Sequence, residues 1–126
     1  MQAEAWDPSV HVPMVTGWIR ARELGEDAGD VALLPPTGLV VGGIAAGFVY
    51  MTNGGVAFID SFMTDPASSK ADRSEALDTL MVLLVAQAKE LGYAVVIGTT
   101  TAQPLADRFH QHGFSVSDGF YVVRRV

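Results

Sequence analysis

Apolar positions along the chain follow two periods. Between residues 73 and 91, Leu77, Leu80, Met81, Leu84, Ala88 and Leu91 recur at i, i+3, i+4, i+7, i+11 and i+14. This is one continuous stripe of a long helix. Asp72 and Glu75 form a D-x-x-E start resembling a capping box, and Gly92 suits the left-handed residue that closes a helix. Val12, Val15, Trp18 and Ile19 predict an earlier helix, begun by Asp7-Pro8-Ser9 and ending near residue 23, with Pro13 and Gly17 weakening its interior. A third, short helix follows Thr101-Ala102-Gln103-Pro104, turns Leu105 and Phe109 inward and stops at Gly113.

Strand signals occupy residues 2–6, 39–41, 44–52 and 56–63. The last three are separated by Gly42-Gly43 and Asn53-Gly54-Gly55, which suit the primed turns of an antiparallel meander. Residues 93–98 form a β-branched run without alternation, as expected of a strand buried on both faces. Reached through the long helix, it should lie parallel to the third meander strand by a right-handed crossover. Residues 120–126 predict a final strand, whose Phe120-Tyr121-Val122-Val123 leaves an apolar edge for self-association or a protein partner. Residues 25–30 read as an acidic connector and Leu33-Leu34-Pro35-Pro36-Thr37-Gly38 as a fixed turn. The expectation is a single α/β (α+β) domain over residues 1–126, a mixed sheet with an antiparallel N-terminal meander, a long crossover helix and a central parallel pair.

Composition narrows the function. Eight Lys and Arg against fourteen Asp and Glu give a net charge of −6, which disfavours a nucleic-acid partner. With no Cys there is no disulfide framework, thiolate metal site or Cys nucleophile. The acidic N-terminus lacks the features of a signal peptide, and the apolar runs are too short to span a membrane, so a cytoplasmic protein is expected. The chain has no G-x-S-x-G, G-x-x-x-x-G-K-[ST] or H-E-x-x-H motif. His110 and His112 are two apart, which on a helix points them to different faces, so no metal site is expected; His112 instead suits the helix C-terminus. Tyr50, Tyr121, Trp6 and Trp18 read as packing residues.

The order of elements, with Phe58-Ile59-Asp60 and Asp65-Pro66 on the central strand and its exit, Ala88-Lys89-Glu90-Leu91-Gly92-Tyr93 at the helix end, and His112-Gly113-Phe114 after the last helix, resembles the GCN5-related N-acetyltransferase family over about half of the chain. The resemblance implies acetyl transfer from acetyl-CoA to an amine on a small molecule or protein, in a gap between the central strand and its parallel neighbour, with the pyrophosphate at the start of the long helix. The family's phosphate loop has Arg or Gln and two small residues where this chain has Asp72, Glu75 and Leu77. Two carboxylates there would oppose an anion, so acetyl-CoA is expected to bind more weakly than about 100 μM and activity to be weak or lost. Ser68, Ser69, Lys70, Arg73 and Ser74 are the residues left to hold the cofactor.

The family's general-acid Tyr corresponds to Phe109, which cannot move a proton. Asp60 is then the candidate general base, with Phe58 and Phe62 expected on its strand face to raise its pKa by desolvation. The alternative is that Asp60 hydrogen-bonds backbone where the strands part. At the level of the whole protein the alternative is a non-catalytic binding or assembly module on the same fold.

Overall fold

A computed structural model describes residues 1–22, 31–120 and 122–126. Its elements are β1 (Ala3–Ala5), α1 (Pro8–Ala21), a 3-10 turn (Val31–Leu33), β2 (Gly38–Val41), β3 (Ala45–Tyr50), β4 (Val56–Thr64), α2 (Lys70–Glu90), β5 (Val95–Gly98) and α3 (Gln103–Gln111). The connector expected over 25–30, the end of the first helix at 23, and Tyr121 lie outside the described residues.

The five strands form one sheet in the order β1-β2-β3-β4-β5. The first three pairings are antiparallel. β4 and β5 are parallel, from Val56 opposite Val95 to Ile59 opposite Gly98, as the helical crossover between them requires. Side-chain alternation divides the sheet into two buried faces. On one, Val41, Ala45, Val49, Ala57 and Ile59 meet Ala76, Leu80, Met81, Leu84 and Ala88 of α2, and Phe109 of α3. On the other, Val40, Ala46 and Phe48 meet Trp6 and α1 through Val15 and Trp18. Each Leu or Met fully buried in this way contributes roughly 1.5–3 kcal/mol of hydrophobic stabilisation.

Local chemistry explains the boundaries. Asp7 caps α1 by accepting from the Ser9 amide at 3.0 Å, and Pro8 occupies the first turn, where its missing N–H is no loss. Pro13 lies only one turn further on, so the helix continues through it with the Ser9 carbonyl as the one interrupted partner. Gly42 and Gly43 have φ of +60° and +66°, as a primed turn demands. Gly92 and Gly113 end α2 and α3 with φ of +95° and +89°.

Four expectations need correction. α2 begins at Lys70 with Ser69 as its N-cap, not at Arg73 with Asp72; the Ser69 hydroxyl accepts from the Asp72 amide at 3.1 Å. A serine followed by two helix formers supplies a cap one turn earlier than the D-x-x-E pattern, and helix formation extends to it. Asn53 and Gly54 form no primed turn, since neither has positive φ; the Thr52 hydroxyl instead accepts from the Gly54 amide and donates to the Val56 carbonyl across a longer loop. β5 is not buried on both faces: Val95 and Ile97 are exposed while Val96 packs on the α2 side. The strand expected over 120–126 does not form among the described residues: Phe120 and residues 122–126 join no strand, and Phe120 and Val122 are 98% and 86% exposed. β5 is therefore an edge of the described sheet.

Candidate active site

The parallel pairing ends at Ile59 and Gly98, and the next residue on each strand carries a polar side chain. The Thr99 hydroxyl donates to Asp60 Oδ2, and the Ser61 amide donates to Asp60 Oδ1 at 2.6 Å. The carboxyl group thus bridges two strands at the point where their backbones stop bonding. Just beyond, the register of β3 against β4 slips by one residue between Ala46 and Phe48. The extra residue is Ser61, whose φ of +60° is in the left-handed region. Its hydroxyl lies 2.5 Å from the Tyr50 hydroxyl.

This bulge overturns the expected surroundings of Asp60. Asp60 lies opposite Phe48 and therefore on the α1 face, and Phe58, opposite Tyr50, shares it. Phe62 does not. One inserted residue turns it to the α2 face, where it packs edge-on against Phe109 with ring centroids 5.7 Å apart. Asp60 has Phe48 opposite it and Phe58 on its face instead of Phe62, and its carboxyl group is held by the Thr99 hydroxyl and the Ser61 amide.

Between β4 and α2 runs the loop 65–69. Ser68 Oγ donates to the Asp65 carbonyl at 2.6 Å, and Asp65 Oδ1 accepts from the Ala67 amide at 2.9 Å. Arg73 reaches back from the first turn of α2 and donates to the carbonyls of Ser68 and Pro66. From the opposite side of the sheet, Arg22 at the end of α1 donates to the Thr64 carbonyl and, at 2.8 Å, to Thr64 Oγ1. Burial, then the nearby Arg73 guanidinium, lower the pKa of Arg22 against the opposing pull of Asp65. Of the five residues expected to hold a cofactor, Ser69 caps α2, Ser68 and Arg73 organise this loop, and Lys70 opens the helix on an exposed turn. Ser74 is on the far side of that turn, bonded to Arg108 of α3. Glu75 is in the second turn, away from the helix start, so Asp72 is the one carboxylate in the first turn.

No family model matches the chain. No curated protein matches it either. Solved structures do. A GNAT-family acetyltransferase of Streptococcus pneumoniae superposes with a TM-score of 0.64 at 14% identity, over 99% of this chain and 97% of the other. A Mycobacterium tuberculosis protein crystallised in complex with CoA gives 0.71 at 16%, over 98% and 76%. A transcriptional regulator of Bacillus halodurans gives 0.68 at 21%, over 98% and 99%. The chain has the GNAT fold.

Within the GNAT fold the position of Phe109 acquires a structural reason. Its ring covers Gly98 at the end of β5, with Cζ 2.3 Å from where a Gly98 Cβ would stand. It also packs edge-on against Phe114 at 4.9 Å. Phe109 is thus a wedge between α3 and the parallel pair. Beside it, Asp78 of α2 accepts from Arg108 at 2.7 Å and from His112 Nε2 at 2.9 Å, which ties α2 to α3. His112 is the C-cap of α3, its amide donating to the Arg108 and Phe109 carbonyls, while its side chain pairs with the Asp78 carboxylate. Among the described residues no three His, Cys, Asp or Glu side chains converge as metal ligands, and no helix is long and apolar enough to cross a membrane.

Three residues escape the sequence patterns. Arg22 and Tyr50 belong to elements whose periodicity marks them only as helix end and strand, and their partners are 42 and 11 residues away. Buried His11 accepts from the Asp7 amide through Nδ1 and pairs with Glu4 through Nε2, a satisfied position between β1 and α1. Its one legible signal is its place four residues after the helix cap.

Proposed function

We propose that the protein is an acyl-CoA-dependent N-acetyltransferase that works at the break between β4 and β5. The observation that carries this is the Asp60–Thr99 bridge, set where the parallel strands stop pairing and next to a strand bulge. A thioester placed along this break would present its carbonyl carbon to an amine approaching from the α1 face. Asp60 accepts the amine proton as nitrogen bonds to that carbon and the carbon–sulfur bond breaks, the electron pair leaving on sulfur. Thr99 and the Ser61 amide hold the carboxyl group in place. The CoA-bound relative, whose fold this chain shares, supports an acyl-CoA as donor. Arg73 and Lys70 offer the charges for its phosphates.

The acceptor is an amine on a small molecule or protein. Self-association through the exposed apolar residues after Phe120 belongs to the same proposal.

The test is acetyl transfer to a panel of amines, for the native chain and Asp60→Asn. Loss of about 10²-fold or more in turnover, with the fold intact by circular dichroism, is expected for a missing general base. Unchanged turnover in Asp60→Asn sinks the assignment of the base. No turnover by the native chain, with acetyl-CoA failing to bind, favours the assembly module.

A further inference from the structure

Strand β4 contains a residue in a backbone conformation that side chains of L-residues disfavour. Among the described residues, Ser61 is the one non-glycine position with positive φ, at +60°. It lies where β4 runs from Asp60 to Met63 while β3 runs only from Phe48 to Ala46. A serine has no preference of its own for this conformation, so its surroundings must hold it there.

The bulge is held from both faces of the sheet. On the α2 side, Gly47 lies at the same register shift, and a Cβ there would stand 3.2 Å from the Phe62 ring, 2.9 Å from Leu84 and 3.1 Å from Leu80. The displaced Phe62 uses the room that the missing side chain leaves. On the α1 side, Tyr50 packs on the cluster of Trp6 and Phe48, and its hydroxyl lies 2.5 Å from Ser61 Oγ.

The same serine turns its amide to the carboxyl group of the site. Its N–H donates to Asp60 Oδ1 at 2.6 Å, while the Thr99 hydroxyl holds Oδ2. One residue thus links Tyr50 on β3 to the carboxylate, through its hydroxyl on one side and its amide on the other. Without the hydroxyl contact φ is free to relax to negative values, which swings the amide away from Asp60.

We infer that Tyr50 is a positioning residue for acetyl transfer: its hydroxyl locks Ser61 in the left-handed bulge, and the locked amide aims Asp60 at the amine proton. The inference rests on the reading of Asp60 as the base. It adds a residue that acts through Ser61 rather than on either substrate.

Glycine separates the hydroxyl contact from the backbone conformation, because it takes positive φ without a lock. Turnover and KM for acetyl-CoA and for the fastest amine of the panel are measured for the native chain, Tyr50→Phe, Ser61→Ala, and Tyr50→Phe combined with Ser61→Gly. Hydrogen exchange of the Ser61 amide is followed by NMR in each. Tyr50→Phe and Ser61→Ala should each lower kcat by about tenfold to hundredfold, the cost of a misplaced catalytic group, with both KM values nearly unchanged. Exchange at Ser61 should quicken in both. Adding Ser61→Gly to Tyr50→Phe should recover most of the lost kcat and most of the protection. Ser61→Ala carries the test if Tyr50→Phe does not fold.

Native kcat in Tyr50→Phe, or exchange at Ser61 that does not respond to it, would overturn the inference. So would a loss of kcat that Ser61→Gly does not recover, since the hydroxyl would then act on the reaction itself. A rise in the amine KM would put Tyr50 in contact with the acceptor and overturn it too. Full turnover in Asp60→Asn, or no acetyl transfer by the native chain, removes the base and the positioning role with it; exchange at Ser61 that still depends on Tyr50 would then mark the contact as structural alone.

Discussion

At the scale of single residues, the contrast between Asp60 and Phe109 separates chemistry from packing. Asp60 is held by two donors on different strands, an arrangement that aims a carboxyl group without closing it off. Phe109 is buried, and the tip of its ring is against the Gly98 backbone. A hydroxyl added to that tip would enter β5 rather than the break. Phe109→Tyr is therefore expected to destabilise the fold by roughly 1–3 kcal/mol, the cost of overpacking, and to leave transfer activity no higher. A denaturant titration and a rate assay check this; a stable and faster Phe109→Tyr would show that the ring can swing toward the substrate.

Between elements, the contact of α2 with α3 has a titratable component. The His112 hydrogen bond holds the Asp78 carboxyl below its usual range; burial opposes it, and the Arg108 bond adds to the lowering. A depressed carboxylate pKa means that the unfolded chain takes up the proton first, so the stabilisation is present at neutral pH and lost as pH falls through the folded value. The difference in melting temperature between the native chain and Asp78→Asn should accordingly be largest near neutral pH and shrink below about pH 4. A difference that grows on acidification would contradict this. Asp78 is half exposed, so the shift in melting temperature is expected to be small.

Elements are also where the limits of sequence patterns show. The stripe of α2 and the turn at Gly42 and Gly43 were legible because each depends on residues a few positions apart. The D-x-x-E pattern puts the start of α2 a turn late, because two overlapping capping patterns compete and only the geometry of Ser69 decides between them. The surroundings of Asp60 do not follow from strict alternation, which assumes an unbroken strand, and no local feature of Ser61 announces a bulge. Arg22 was invisible for a different reason: its partner Thr64 is brought to it by the sheet, not by the chain.

For the molecule as a whole, the five-stranded sheet ends on β5, with the apolar Val95 and Ile97 exposed beside an apolar C-terminal segment. Such an edge favours association. Sedimentation velocity at tens of micromolar is expected to show a dimer or larger species that Val122→Asp with Val123→Asp dissociates. A native chain that sediments only as monomer would count against the proposed self-association.

The break beside Asp60, the loop held by Arg73 and the GNAT fold around them converge on one donor, and its binding is the central question. With Glu75 in the second turn of α2 and two guanidiniums at the loop, repulsion of the phosphates is weaker than the sequence pattern of Asp72 and Glu75 implied. Calorimetric titration of acetyl-CoA into the native chain at neutral pH and low salt should give one site per chain with Kd below about 100 μM, equivalent to about −5.5 kcal/mol or better. Absence of saturable binding up to millimolar acetyl-CoA would contradict the account and leave the fold without its proposed donor.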